Sequence, residues 1–172
     1  MNLRAFIRDI PDFPEPGIVF KDITPLLLDP RALDDAVDGL ARLAEPLGVD
    51  FVVAPEARGF ILGAALARQL QAGFVPARRP GKLPHETVSA EYALEYGINA
   101  LEVHADAIAG GARVLIHDDL LATGGTALAL CELVERFGAE VVGCSFLIEL
   151  SFLGGRERLM PRSTSALIDF EE

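Results

Sequence analysis

Hydrophobic residues along this chain follow two alternating patterns. Short, mainly apolar segments, typical of strands buried on both faces of a sheet, lie at 51–54, 74–77, 113–117 and 141–148. Segments with apolar residues three or four positions apart, typical of helices, lie at about 30–47, 59–70 and 126–137. Strands that alternate with helices indicate an α/β fold with a mainly parallel central sheet flanked by helices.

The remaining segments are less regular. Apolar positions in residues 3–10 have helical spacing, whereas residues 11–30 are rich in proline and polar residues and predict an ordered loop. Asp29-Pro30 suits the N-cap and first position of the first long helix. Residues 90–103 are typical of a β-hairpin, and residues 161–172 could form a last short strand.

Composition sets broad limits on the class of protein. The chain has 172 residues, 51% of them hydrophobic and 24% charged, which suits one globular domain over residues 1–172. No apolar run reaches the roughly 18 residues of a membrane span, and the N-terminus lacks the apolar segment of a signal peptide. Cys131 and Cys144 have no metal-binding spacing and favour reduced core residues. We therefore expect a cytoplasmic protein with no membrane partner.

The charge balance bears on possible partners. The net charge is −11, from 15 basic and 26 acidic residues. Duplex binding needs cations that neutralise phosphates, so this balance argues against a nucleic-acid partner. It also makes the basic cluster at 78–82 more informative.

The segment 114–127 carries the clearest chemistry. Its apolar run ends in two adjacent carboxylates, Asp118 and Asp119, and the loop Thr123-Gly124-Gly125-Thr126 then leads into a helical pattern. Carboxylates accept hydrogen bonds from sugar hydroxyls, while glycines and a helix N-terminus suit a phosphate. This order of residues favours a phosphorylated ribose as ligand.

Other interpretations of this segment need weighing. A P-loop would place a lysine after the glycines and a dinucleotide site would show Gly-x-Gly-x-x-Gly, and neither occurs. The residues alone leave open an acidic turn and a glycine-started helix without any ligand. Because ligands of parallel sheets lie beyond the carboxyl ends of the strands, we expect a site where loops 55–58, 78–82 and 118–126 meet.

The same segment resembles the sugar-phosphate motif of the type I phosphoribosyltransferases, and within that family the members that use adenine. Supporting stretches are FPEPGIVFKDIT at 13–24, EARGF at 56–60, RPGKLP at 79–84 and YALEYG at 92–97. The resemblance covers about residues 6–160. It implies the type I phosphoribosyltransferase fold, with a small N-terminal hood at about 1–30 over the base site and a core at about 31–160.

The resemblance also implies a reaction. The phosphoribosyl group of 5-phosphoribosyl-1-pyrophosphate (PRPP) would pass to adenine, giving AMP and pyrophosphate. Alternatives are transfer to xanthine, hypoxanthine or guanine, and a non-catalytic PRPP sensor. Such sensors usually carry an added DNA-binding domain, for which 172 residues leave no room.

For the sugar phosphate, the resemblance implies that Asp118 and Asp119 face the ribose hydroxyls. Adjacent residues of an ideal strand point to opposite sides, so we expect a turn to begin at this pair. The residues expected to hold the 5′-phosphate are Ala122, Thr123, Gly124, Gly125 and Thr126.

For the pyrophosphate, the resemblance implies three cationic side chains. Arg58 and Lys82 would bind it directly, and Arg78 would contribute across the interface of a homodimer. Mg²⁺ is the expected cofactor, held through PRPP and not directly by protein side chains.

For the base, the resemblance implies that Phe20 stacks on adenine opposite Leu120. Backbone groups of Val19 and Lys21 would read the purine edge, with Arg58 nearby. Without the resemblance, the residues would favour a core aromatic at Phe20 and a surface charge at Lys21.

For the chemical step, the resemblance points to Glu95. Its carboxylate would take the proton from adenine N7, or hydrogen-bond there, as N9 attacks the sugar. Tyr96 would help the same loop to close over the site. The residues alone would allow a surface glutamate in a hairpin.

Overall fold

A five-stranded parallel sheet organises the chain, whose computed structural model describes residues 1–93 and 98–172. In chain order the strands and α-helices are β1 (Arg8–Pro11), β2 (Val19–Asp22), α1 (Thr24–Leu28), α2 (Pro30–Ala44), β3 (Phe51–Pro55), α3 (Arg58–Gln69), β4 (Gly73–Ala77), β5 (Thr87–Ala93), β6 (Ile98–His104), β7 (Arg113–Leu121), α4 (Gly125–Glu135), β8 (Glu140–Leu150), α5 (Gly155–Leu159) and β9 (Thr164–Phe170). Short 3₁₀ helices cover Leu3–Phe6, Glu45–Leu47 and Ser151–Leu153.

The strand order of the main sheet is β4-β3-β7-β8-β9, and every neighbouring pair is parallel. Because the strands run the same way, all their carboxyl ends lie along one edge. The predicted α/β fold with a parallel central sheet is therefore confirmed. Among the residues described, no helix has the length and apolar character needed to cross a membrane.

Two apolar layers cover the sheet, one on each face. Successive strand residues point to opposite layers. Val52 and Leu115 pack with α1, α2 and α3 in one layer. Val53, Val114 and Ile116 pack with α4 and the β5–β6 hairpin in the other. Each fully buried aliphatic side chain of this kind contributes about 1.5–3 kcal/mol. The sheet is thereby held rigidly from both sides, which holds its carboxyl edge in place.

The start of α2 follows the sequence prediction. The Asp29 carboxylate accepts hydrogen bonds from the Arg31 and Ala32 backbone N–H groups at 2.9 and 3.0 Å, and Pro30 occupies the first helical position. These bonds satisfy N–H groups that have no partner within the helix.

The N-terminal segment departs from the sequence prediction. The helical spacing of residues 3–10 predicts a helix, but the structure is helical only to Phe6. Residues Arg8–Pro11 form β1 instead, which pairs antiparallel with β2. The prediction of a loop over 11–30 is also wrong, since that range contains β2 and α1. Cross-strand ion pairs, Arg8 with Asp22 at 2.6 Å and Lys21 with Asp9 at 2.8 Å, stabilise a pairing that no local window could indicate.

The C-terminal strand anchors the antiparallel pair β1–β2, called the hood ribbon below. The predicted last strand is present as β9, parallel to β8, and its final residue Phe170 is buried. Arg4 and Lys21 place their cationic groups 4.2 and 4.1 Å from the centre of the Phe170 ring. Cation–π contacts of this kind tie the two ends of the chain together.

The predicted hairpin is confirmed in the antiparallel pair β5–β6, which begins at Thr87 opposite His104. The tip of the predicted hairpin, residues 94–97, lies outside the described residues. The hairpin packs its buried side chains Ala90, Leu101 and Val103 into the α4 layer.

One buried polar pair interrupts the apolar layers. His117 on β7 is fully buried beside Ser145 on β8, and neither ring nitrogen nor the serine hydroxyl has a hydrogen-bond partner among the described residues. Burial lowers the pKa of His117 to about 4, against a smaller opposing effect of the Ser145 backbone. The imidazole is therefore neutral in the folded protein at pH 7.

We predict that this histidine makes stability fall in mild acid. The unfolded chain binds a proton at His117 below pH 6.5, whereas the folded chain does so only near pH 4. Stability is therefore lost as pH falls through that window, by about 2 kcal/mol between pH 7 and pH 5 at roughly 1.4 kcal/mol per pKa unit. Urea denaturation at pH 7, 6 and 5 measures it.

A His117→Leu variant should lack this component, so its stability relative to the wild type should rise as pH falls. Using the difference cancels the opposing effect of Asp118, whose raised pKa favours the folded state in acid. His85→Leu, which removes an exposed histidine, is the matched control. A constant difference between His117→Leu and wild type from pH 7 to 5 would contradict the prediction.

Candidate active site

Three loops meet at the carboxyl edge of the sheet around a cavity of about 200 Å³. They follow β3, β4 and β7, as the sequence predicted. The residues that line the cavity are Pro55, Glu56, Ala57, Arg58, Arg79, Asn99, Ala100, Leu101, Asp118, Asp119 and Thr126. Acidic, basic and hydroxyl groups thus converge on one enclosed space.

The carboxylate pair lies on β7, and the predicted turn at this pair is wrong. The strand continues to Leu121, because β8 pairs with it as far as Leu121 opposite Glu149. The Asp118 Oδ1 atom accepts a hydrogen bond from the Asp119 backbone N–H at 2.8 Å. This bond bends the Asp118 carboxylate along the strand, so both acidic groups reach the same cavity.

Both carboxylates contact the first turn of α3. The Arg58 Nε atom lies 3.1 Å from Asp119 Oδ2, although its N–H is not aligned for a hydrogen bond. A Cβ atom at Gly59 would lie 2.9 Å from Asp118 Oδ1, so a side chain there would displace the carboxylate. Gly59 is therefore a site residue that was not predicted from the sequence, where its signal was its position directly after Arg58.

Electrostatics at this pair are unusual. Burial and the adjacent negative charge of Asp119 raise the pKa of Asp118 well above its ordinary range. Arg58 opposes this shift. A ligand that brings hydrogen-bond donors or positive charge would favour the ionised form of Asp118.

The phosphate loop, residues 122–126, turns from β7 into α4. Gly124 has a left-handed backbone with φ of +79° at the N-cap of α4, and none of the described side chains caps this helix. The first N–H groups of a helix have no partner within it, so they are free to bind an anion. Thr123 is exposed and Thr126 lines the cavity, and both hydroxyls add donors.

Arg58 connects the carboxylate pair to the hood. Its guanidinium carbon lies 4.8 Å from the centre of the Phe20 ring, and Phe20 makes an edge-to-face contact with Phe13 at 5.2 Å. Phe20 is half-buried on β2. The predicted base-stacking residue therefore lies beside the predicted sugar site.

The other predicted base-site residues occupy different environments. Val19 is exposed on β2, and Leu120 is half-buried on β7 between Asp119 and the phosphate loop. The Lys21 side chain is buried against Asp9 and Phe170, so the expectation of a surface charge at Lys21 is wrong.

Glu56 holds the basic loop, residues 78–82. Its Oε2 accepts from Arg78 Nε and Nη2 at 3.3 and 3.1 Å, and its Oε1 accepts from the Arg79 backbone N–H at 2.6 Å. The Arg79 N–H is the main reason that the pKa of Glu56 is lowered. Arg78 also donates to the Lys82 carbonyl, while the Lys82 side chain is exposed.

Sequence reasoning missed two contributors to the cavity wall. For Glu56, the only sequence feature that could have indicated a role was its position in the loop after β3. Asn99, Ala100 and Leu101 of β6 had no such feature, because only tertiary packing brings that strand to the sheet edge. The predicted residues Glu95 and Tyr96 lie outside the described part of the chain.

Two larger clefts, of about 460 and 490 Å³, lie elsewhere along α2. Neither contains the carboxylate pair, the phosphate loop or the basic loop. The cavity at the sheet edge is therefore the candidate active site because of the residues that line it and not because of its size.

Comparisons with known proteins agree with this geometry. The phosphoribosyl transferase domain family matches residues 30–167. The adenine phosphoribosyltransferase of Thermotoga neapolitana is 58% identical over 168 residues, covering 98% of this chain and 99% of the relative.

Solved structures give the same result. The adenine phosphoribosyltransferase of Thermoanaerobacter pseudethanolicus superposes with a TM-score of 0.95 at 53% identity, covering 98% of each chain. The enzyme of Saccharomyces cerevisiae, crystallised with adenine and an imino-altritol bisphosphate, superposes with a TM-score of 0.91 at 38% identity, covering 95% of each chain. This chain belongs to the phosphoribosyl transferase family and, within it, to the adenine phosphoribosyltransferases.

Proposed function

We propose that this protein transfers the phosphoribosyl group of PRPP to adenine, releasing AMP and pyrophosphate. The observation that carries the proposal is the placement of Arg58, which contacts both Asp119 and Phe20. One side chain thus joins a site suited to a ribose to a site suited to a flat base. The relatives named above support adenine as that base.

On the sugar side, Asp118 and Asp119 accept hydrogen bonds from the 2′- and 3′-hydroxyls. Residues Ala122, Thr123, Gly124, Gly125 and Thr126 hold the 5′-phosphate through backbone N–H groups and two hydroxyls. When the bond to pyrophosphate breaks, C1′ becomes cationic, and the two carboxylates place negative charge near it.

On the leaving-group side, Arg58, Lys82 and Arg78 supply positive charge. Glu56 orients the Arg78 guanidinium, and the exposed Lys82 side chain is free to reach a ligand. These cations stabilise the charge that develops on pyrophosphate.

The residues of the site fit a Mg²⁺ ion that arrives with PRPP. In the portion of the chain that is described, no group of three or more His, Cys, Asp or Glu side chains could hold a metal by itself. Mg²⁺ usually keeps waters and takes substrate phosphate oxygens, and the acidic pair lies where a hydrated ion would be favoured. Bound there, the ion would neutralise charge on the leaving group.

On the base side, Phe20 and Leu120 enclose the purine and backbone groups of Val19 and Lys21 read its edge. Adenine presents a ring-nitrogen acceptor beside an amino donor, whereas hypoxanthine and guanine present an oxo group there. A mismatched base would leave buried polar groups unpaired, which supplies the discrimination.

Glu95 completes the chemistry by accepting the proton from adenine N7, or a hydrogen bond from it, as N9 attacks C1′. Tyr96 assists closure of the site, which excludes water and protects the activated sugar. We also propose that the protein acts in the cytoplasm as a homodimer, with the basic loop near the partner subunit.

An assay with each purine base tests the proposed reaction. With PRPP and Mg²⁺, we expect product with adenine and rates at least about 100-fold lower with hypoxanthine, guanine and xanthine, the size of a lost buried polar pairing. Chelation of Mg²⁺ should abolish turnover and excess Mg²⁺ should restore it. No product with any base, together with retained PRPP binding, would favour the sensor alternative.

Replacement of Glu95 tests the proton-transfer role. Glu95→Gln should lower kcat by about 10²-fold or more, the typical contribution of a placed acid or base, with PRPP affinity nearly unchanged. Glu86→Gln, at an exposed carboxylate before β5, is the matched control. Equal kcat in Glu95→Gln and wild type would remove this residue from the chemical step.

Replacement of Asp119 tests the sugar contact. Asp119→Asn should weaken PRPP binding by about 10- to 100-fold, because a hydrogen bond to a charged group contributes roughly 1.5–3 kcal/mol. Isothermal titration calorimetry with PRPP and Mg²⁺ measures it, with Asp34→Asn on the exposed face of α2 as control. Wild-type affinity in Asp119→Asn would be inconsistent with this assignment.

A further inference from the structure

A second backbone segment, Gly154–Gly155, lies directly against the phosphate loop. A Cβ atom at Gly155 would lie 2.2 Å from the Ala122 carbonyl oxygen and 2.9 Å from Leu121 Cδ1. A Cβ atom at Gly124 would lie 2.8 Å from the Gly155 carbonyl oxygen. Cβ atoms essentially never lie within 3.0 Å of a heavy atom from a residue that is not a chain neighbour, so the two backbones touch with no room for a side chain.

This contact is specific to the phosphate end of the site. Neither glycine of this segment lines the cavity that contains Asp118, Asp119 and Arg58. Gly155 instead contacts the loop at Ala122 and Gly124, next to the N-terminus of α4.

An ion pair holds the Gly154–Gly155 segment in place. Glu149, buried near the end of β8 and in register with Leu121, accepts a hydrogen bond from Arg156 Nε at 2.9 Å. The Arg156 Nη2 group bonds the other Glu149 oxygen, and its Nη1 group bonds the Thr164 carbonyl of β9. The guanidinium therefore ties the start of α5 to two strands of the rigid sheet.

Burial makes this pair sensitive to change. The Glu149 side chain is 5% exposed, and an ionised carboxylate at that depth needs a partner. Loss of Arg156 would leave that charge unpaired and release the residue next to Gly155. The phosphate loop would then lose the surface against which it packs.

We propose that Gly155 and the Glu149–Arg156 pair are positioning residues for the 5′-phosphate site. They fix the backbone of the phosphate loop so that its N–H groups point together at the phosphate. The proposal rests on the proposed function, since it assigns a support to the same phosphate site. Small displacements matter at such a site, because a group misplaced by about 1 Å can lower the reaction rate by about 10²-fold.

Gly155→Ala tests the contact itself. The added methyl group must displace the Ala122 carbonyl, so affinity for ribose 5-phosphate should fall at least about 10-fold. Affinity for pyrophosphate with Mg²⁺, which does not use this loop, should stay within about twofold by the same reasoning. Titration calorimetry with each probe separates the two sites.

Gly110→Ala is the matched control. Its Cβ atom would meet only the Phe137 carbonyl oxygen, at an ordinary 3.5 Å, in a turn before β7. Both affinities should equal those of the wild type. Circular dichroism melting confirms that each variant is folded.

Arg156 variants test the ion pair. They also test the proposal if Gly155→Ala does not fold. Arg156→Gln should weaken ribose 5-phosphate binding and spare pyrophosphate binding. In Glu149→Gln with Arg156→Gln the buried charge is gone and two amides can pair, so part of the affinity should return.

The possible results separate the inference from the proposed function. Wild-type ribose 5-phosphate affinity in folded Gly155→Ala or Arg156→Gln would overturn the positioning role. An equal loss of pyrophosphate affinity would also overturn it, because the effect would then be general. If the wild type bound neither probe, the proposed function would fail first.

Discussion

The pair of adjacent carboxylates at the end of β7 is the constraint on which the rest of the site depends. Asp119 is buried and Asp118 half-buried, so their negative charges are poorly solvated and repel each other. The backbone N–H of Asp119 and the nearby Arg58 guanidinium offset part of this repulsion. Two acidic groups this close together suit a ligand with hydroxyl donors and an accompanying cation.

Three supports position the loops around that pair, and two of them join residues far apart in the chain. Glu56 holds the basic loop through Arg78 and the Arg79 backbone. Glu149 and Arg156 hold the segment behind the phosphate loop. Phe170, between Arg4 and Lys21, holds the hood ribbon. The ligand-facing groups are thus few, and most charged residues nearby act on the backbone of the loops.

The sequence predictions succeeded where the signal was local. Periodicity predicted the alternating strands and helices, because burial on both faces of a parallel sheet imposes continuous apolar runs. Asp29 was predicted as a cap because capping needs only neighbouring N–H groups. Predictions failed for most of residues 7–28 and for the end of β7, where pairing with a distant strand overrode local preference.

By itself, the sequence determined the order of most elements beyond residue 30, the family resemblance and the chemical types at the strand ends, because all three depend on residues close together in the chain. Only the tertiary structure decided that Asp118 bends along β7 to share a cavity with Asp119, and that Arg58 contacts Phe20. It also decided that Gly155 supports the phosphate loop. These facts depend on how close distant backbones can approach, and that distance is set by packing of the whole sheet.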